Sequence, residues 1–445
     1  MNPGATTNTT LPLRCRLQHA AQAQRDLFIN LSQRLRRHWL LLVIMGIGLA
    51  ARMPGVLWGF NYPTGWTIHH IDEYTHLSNA GCLINPSAPQ GPGTLYLYGC
   101  RSNYPRGLAT HVALPHLLLR AAENKLRDPL PAPTTIVVAG RLVSVFYGIA
   151  TIPLVFLLAR LFFRTHPSVP HFSAAFFALG RLHVSQSHFF VADVPVIFWL
   201  LLVLHLVGRF IEIGPPARPH YINFAALACG IAIGIKFSVA ALPSLAIACV
   251  LYPRRLVRLL YAAVFLAAGI CVANLDSFSL YQFHRMLQDF TVVGMGGYHF
   301  SRIASAGIYL LEIPSIISFP VTMLAAGGVL LFCRRPLANR SRSLRLIVLV
   351  FLVPNLIGAW FVFFKADNAP RHLLVFVPWI AIAAGWALSE LSATLARQRL
   401  KPVWVAAPVF LYLGVFVFDG ERVFFEDPRN RAVEWLLANV PKGLR

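Results

Sequence analysis

Acidic side chains are what this chain has least of. Asp and Glu together number 17 in 445 residues, against 39 Lys and Arg. Charged residues of both signs make up only 13%, and hydrophobic residues 56%. A soluble enzyme of this length is excluded by that balance, and a polytopic membrane protein is expected. The seven cysteines form no CxxC pair, which argues against a zinc ribbon or a thioredoxin-type redox site. There is no HExxH sequence, no Rossmann-type pattern and no phosphate-binding Gly-rich loop, so a nucleotide-sugar site is not expected. No internal repeat is visible, which weighs against many transporter folds. The first 38 residues are polar, carry Arg14, Arg16 and Arg25, and contain no early apolar core of a cleavable signal. They read as a cytoplasmic tail and a basic juxtamembrane helix.

What the chain has instead is long apolar runs. A spanning helix needs roughly 20 mostly apolar residues. Such runs lie at about 39–57, 136–163, 171–190, 192–210, 221–235, 237–252, 259–274, 310–332, 345–364, 371–391 and 402–418, about eleven spans in all. The stretch 221–252 is interrupted by Gly230, Gly234, Lys236 and Pro243 and reads as two short helices meeting at Lys236. Residues 105–122 are apolar but contain His111, Pro115, His116 and Arg120, and read as a helix lying in the membrane interface.

The formal charge of +22 does not point to nucleic acid. Arginines cluster between apolar runs, at Arg34, Arg36 and Arg37, at Arg254, Arg255 and Arg258, and at Arg334, Arg335 and Arg340, as in cytoplasmic loops. With the N-terminus inside and the spans alternating, most of the acids fall outside. The expected layout is a tail (1–38), a transmembrane catalytic domain (39–418) with long outer loops at about 58–135 and 275–309, and a short extracytoplasmic segment (419–445). Arg52 and Arg181 lie inside spans, near enough to an end to snorkel.

The outer face then collects the chemistry. The first loop opens with His69-His70-Ile71-Asp72-Glu73-Tyr74-Thr75-His76. In a helix His69 and Glu73 share a face, as do Asp72 and His76. A carboxylate partly withdrawn from water near the bilayer suits general-base work; the plain alternative is a solvated loop with ordinary charges. Asp193 sits at the turn between spans three and four, and Asp276 and Asp289 lie in the second long loop. Arg141, Lys236 and Arg371 stand at outer span ends, where they either meet an anionic group or snorkel to headgroups. His69, His70, Glu73 and His76 have the chemistry to hold a divalent cation. Cys82 and Cys100 share the first loop and are either a disulfide or two free thiols.

A resemblance rests on the order of several stretches. "HHIDEYTHLSNAGCLINP", "SNYPRGLATHVALP", "GRLVSVFYGIATIPLVFLLARLFF", "LGRLHVSQSHFFVADVPVIFWLLL", "ACGIAIGIKFSVAALPSL", "APRHLLVFVPWIAIAAGWAL" and "DPRNRAVEWLLANVPKG" follow one another over about 40–440. Together they resemble GT-C superfamily glycosyltransferases of the protein O-mannosyltransferase kind, family 39 and its bacterial relatives. The resemblance implies an all-α GT-C membrane fold and transfer of a sugar from a polyprenyl-phosphate donor to an acceptor hydroxyl, with inversion. It implies Asp72 as the base, with Glu73 assisting at the acceptor or a cation. Arg371, Lys236 and Arg141 would receive the donor phosphate. Asp193, Tyr104, Arg106, Asn274 and His299 would support the site, and a divalent cation is left open. Bacterial relatives often continue into a soluble outer domain beyond the stretch matching this chain's end. A lipid-linked-glycan transporter or flippase places its ionisable groups mid-membrane, and an O-antigen ligase or polymerase relies on an Arg-rich outer loop; the early acid pair favours the transferase. The Arg-rich, Pro-rich composition suits a bacterial inner membrane and an undecaprenyl carrier. Sugar and acceptor (protein, lipid or glycan) are not legible in the residues.

Overall fold

The structure is a computed structural model. It describes residues 38–58, 71–84, 107–123, 132–214, 219–236, 240–251, 255–274, 312–334, 341–364, 370–401, 403–424 and 428–440. Two units divide the chain, Met1–Ile44 and Met45–Arg445. The first contributes only residues 38–44, the opening of the candidate span His38–Leu57 (α1). Everything below concerns the second.

Among the described residues all regular structure is helical. Helices α2 (Ile71–Ile84), α3 (Gly107–Glu123), α4 (Ala132–Phe162), α5 (Ser168–Ala178), α6 (Arg181–Gln186), α7 (Asp193–Ile213), α8 (His220–Lys236), α9 (Leu242–Val250) and α10 (Arg255–Ala273) come first. After them come α11 (Phe319–Arg334), α12 (Arg342–Phe364), a 3-10 turn (Pro370–Phe376), α13 (Val377–Arg397), α14 (Val403–Glu421) and α15 (Pro428–Asn439). Six helices are long and apolar enough to cross a membrane, and three more are shorter and apolar. The other two expected spans take a different form. Segment 171–190 is the α5–α6 pair, broken at Leu179-Gly180, and 237–252 contains the nine-residue α9.

Helix α4 threads the middle. Its 31 residues make about 46 Å of helix, longer than the roughly 30 Å hydrocarbon layer. It packs on α3, α5 and α7, and α7 packs in turn on α8. Asp193 begins α7, where an acid complements the helix dipole. Gly214 ends it at φ +84°, a backbone region where glycine avoids the Cβ clash.

The glycines of the expected break at 221–252 lie inside a continuous helix. A Cβ on Gly230 would stand 2.1 Å from the Leu266 carbonyl oxygen, and one on Gly269 would stand 2.2 Å from that of Leu227. They let α8 and α10 approach backbone to backbone, as small residues do between membrane helices. Helix α8 runs to Lys236. Within segment 105–122 the described residues form the helix α3: Leu108, Ala109 and Val112 are buried on the protein, and Leu114, Leu117 and Leu118 are exposed. That one-sided arrangement suits a helix lying in the interface.

Candidate active site

Helix α2 packs on α3 and α4 and carries both acids in its first turn. Consecutive helical residues point about 100° apart, so the two carboxylates enter different surroundings.

Glu73 is fully buried. Arg141 grips it with both arms of the guanidinium: Nε donates to Oε1 at 3.0 Å and Nη2 to Oε2 at 3.1 Å. The Phe190 backbone N–H adds a bond to Oε1 at 2.7 Å. The third guanidinium nitrogen, Nη1, donates to the carbonyls of Trp58 (2.6 Å) and Val56 (3.3 Å). One closed knot therefore joins the end of α1, α2, α4 and the turn before α7. Gly140 permits it, because a Cβ there would meet the Phe190 ring at 2.2 Å. His76, buried one turn on from Glu73, faces the same ring at 5.6 Å between centroids.

Asp72 has the opposite setting. Its Oδ2 accepts a 2.7 Å bond from Nη1 of Arg371, and the two side chains keep 20% and 21% of their surface open. Arg371 sits in the 3-10 turn that leads into α13. A second pair joins the part-exposed Lys236, at the end of α8, to the buried Asp193. Arg371 and His372 act electrostatically on Asp193 as well, so both pairs belong to one cluster. Asn274 donates to the carbonyls of Gly234 (3.2 Å) and Ile270 (3.1 Å), which ties the end of α10 to the turn bearing Lys236.

A narrow apolar cleft opens beside the cluster. Ile197, Leu200, Leu201 and Leu204 of α7 line it, with Val375 and Trp379. Ile197 lies one turn beyond Asp193, and Val375 about one turn beyond Arg371.

The structure thus gathers Asp72, Arg371, Asp193 and Lys236, and keeps Glu73 and Arg141 apart as a closed pair. Arg141 is 1% exposed with each guanidinium nitrogen bonded to protein, which differs from an expectation of phosphate contact. Both oxygens of Glu73 are taken as well, so Glu73 does not fit a cation site in this arrangement. Among the described residues no three His, Cys, Asp or Glu side chains gather as metal ligands. His69, His70, Tyr104, Arg106, Asp276, Asp289, His299 and Cys100 lie outside the described residues, as does the side chain of Cys82.

The expectation that Arg52 snorkels is corrected. It is fully buried and donates to the carbonyls of Gly48 (2.8 Å) and Ala178 (2.9 Å), and pairs with Nδ1 of His183 (3.0 Å). The break after α5 frees the Ala178 carbonyl for this role. The sequence reading also missed the buried contact between His188 and Glu421. The signal was present, since His183 and His188 lie in the apolar run 171–190, where ionisable groups are expensive.

The helices and their arrangement are those of an integral membrane protein with the GT-C fold. Residues 129–293 match the dolichyl-phosphate-mannose-protein mannosyltransferase family model, a stretch that contains Arg141, Asp193, Lys236 and Asn274. Among solved structures, the chain is similar to the archaeal oligosaccharyltransferase AglB from Archaeoglobus fulgidus, in complex with an inhibitory peptide and a dolichol-phosphate. The TM-score is 0.55 at 14% identity, covering 92% of this chain and 59% of that one. It is also similar to ArnT from Cupriavidus metallidurans bound to undecaprenyl phosphate, with TM-score 0.52, 17% identity and coverage of 84% and 63%. A third similar structure is the Archaeoglobus fulgidus oligosaccharyltransferase in complex with Zn and sulfate, with TM-score 0.53, 15% identity and coverage of 91% and 56%. The chain thus spans about three fifths of the length of these proteins. No curated protein matches it by sequence.

Proposed function

We propose that the protein transfers a sugar from a polyprenyl-phosphate donor to an acceptor hydroxyl, at the extracytoplasmic face of a bacterial inner membrane. The observation that carries this reading is the part-exposed Asp72–Arg371 pair, with Lys236 and Asp193 in the same cluster. An acid beside two cations is what attack on a lipid-phosphate sugar requires of a site.

Asp72 accepts the proton of the acceptor hydroxyl as its oxygen attacks the anomeric carbon. The bond from that carbon to the phosphate oxygen breaks with its electron pair, and the lipid phosphate leaves as an anion. Configuration at the carbon inverts. Arg371 and Lys236 receive the phosphate, since charge-assisted bonds from a planar guanidinium suit its oxygens. Preorganised cations act where charge develops, which is where they lower the barrier. Asp193 holds Lys236 in place until the donor arrives, and Asn274 fixes the turn that presents it. Glu73 and Arg141 are the frame that fixes α2, so Asp72 projects from a rigid helix. The similar structures with bound polyprenyl phosphates support the donor class.

The test uses the purified protein in nanodiscs with a panel of radiolabelled polyprenyl-phosphate sugars. Release of sugar from one donor is expected, and Asp72→Asn should abolish it while the protein stays folded. Full turnover by Asp72→Asn would remove the base from this mechanism.

A further inference from the structure

The end of the bundle away from Asp72 and Arg371 carries a second polar site. Helices α4 and α7 both leave the cluster just described, α4 carrying Arg141 near its start and α7 starting at Asp193. Their far ends lie together, about 28 Å away along α7. There a cleft of about 450 Å³ is lined by Leu157, Arg160, Leu161 and Arg164 from one side and by His205, Arg209 and Glu212 from the other. Gly208 brings the helices close, since a Cβ there would meet Leu161 Cδ2 at 2.4 Å.

Three arginines face one acid. Glu212 is shared by Arg164 and Arg209. Arg160 is exposed and has no hydrogen-bond or ion-pair partner among the described residues. Nδ1 of His205 is buried in the cleft wall and has no partner there either. Arginines at helix C-termini complement the dipole, but that role requires neither an open cleft nor an unsatisfied buried nitrogen. The excess positive charge is aimed into a space of headgroup size, with Leu157 and Leu161 as an apolar wall beside it.

We propose that this cleft binds one phosphate-bearing anion, held by Arg160, Arg164 and Arg209. The shared chemistry is a phosphate group, from either an anionic phospholipid headgroup or a free phosphate. Guanidinium forks are suited to its oxygens. It is separate from the site proposed for sugar transfer and stands whether or not that reading does.

The experiment is native mass spectrometry of the full chain released from nanodiscs of equal phosphatidylglycerol and phosphatidylcholine. A parallel arm follows thermal unfolding in phosphatidylcholine discs as inorganic phosphate is added at constant ionic strength. Retention of phosphatidylglycerol over phosphatidylcholine identifies the headgroup, and phosphate-dependent stabilisation identifies the free anion. Either signal should fall about tenfold in Arg160→Gln/Arg209→Gln, as expected for lost charge-assisted bonds, and stay unchanged in Arg397→Gln. Arg160→Gln alone removes an exposed, unpartnered side chain and should weaken binding without unfolding. Glu212→Gln frees two arginines and should strengthen it. Equal binding by the wild type and Arg160→Gln in both arms, or no binding in either, overturns the proposal.

Discussion

Glu73 and Asp72 are neighbours with opposite lives. The first is sealed against Arg141, and the second shares a half-open pair with Arg371. Breaking a buried pair leaves an uncompensated charge and costs about 3–5 kcal/mol, whereas a part-exposed pair contributes about 1 kcal/mol or less. Glu73→Gln and Arg141→Lys should therefore lower thermal stability markedly, the lysine because it cannot reproduce the fork. Asp72→Asn should unfold near the wild-type temperature. Thermal unfolding of the three variants in detergent checks this. Equal losses in all three would mean that burial does not separate the two acids.

At the scale of elements, two packings are open to test. Helices α8 and α10 touch through Gly230 and Gly269, each opposed by a backbone carbonyl that cannot rotate away. Gly230→Leu should cost at least about 3 kcal/mol, the upper end for overpacking, and reduce the yield of folded protein. Gly46→Ala and Gly414→Ala, with nothing within 4 Å of the added carbon, should be tolerated. Helix α3 is held to α4 partly by a 3.1 Å hydrogen bond between His111 Nδ1 and Tyr147. Burial pushes His111 down from 6.5 to about 4. Above pH 6.5 the imidazole is neutral in both folded and unfolded chains, and its contribution is complete. Between pH 6.5 and 4 only the unfolded chain takes up the proton, so stability falls with pH across that window. Unfolding temperatures measured from pH 7.5 to 4.5 should drop, and His111→Gln should flatten part of the slope.

At the scale of the whole molecule, the candidate site joins residues 299 positions apart, Asp72 and Arg371, to a pair 43 apart, Asp193 and Lys236. If those cations hold the donor phosphate, polyprenyl phosphate should remain with the protein through purification. Arg371→Gln and Lys236→Gln should each lower the retained lipid about tenfold. Quantifying extracted lipid per protein checks this, and undiminished retention in both variants would assign the phosphate to other residues.

The sequence alone carried the class of the molecule. Apolar runs long enough to span, and basic clusters between them, follow from the cost of burying charge and backbone in lipid, so composition and period suffice to read them. The residues of the cluster were legible for the same reason: Asp72, Asp193, Lys236 and Arg371 are conspicuous in so apolar a chain. Partners were not legible. Whether Arg141 meets a ligand or Glu73, and whether Arg52 snorkels or is buried beside His183, depends on which helices adjoin. Side-chain reach is only a few ångströms, while the joined residues lie 68 and 131 positions apart. Only the tertiary structure decides such pairings, and it alone separates the closed Glu73–Arg141 knot from the open Asp72–Arg371 pair. Exposure is a property of the packed bundle, and no local pattern in the chain encodes it.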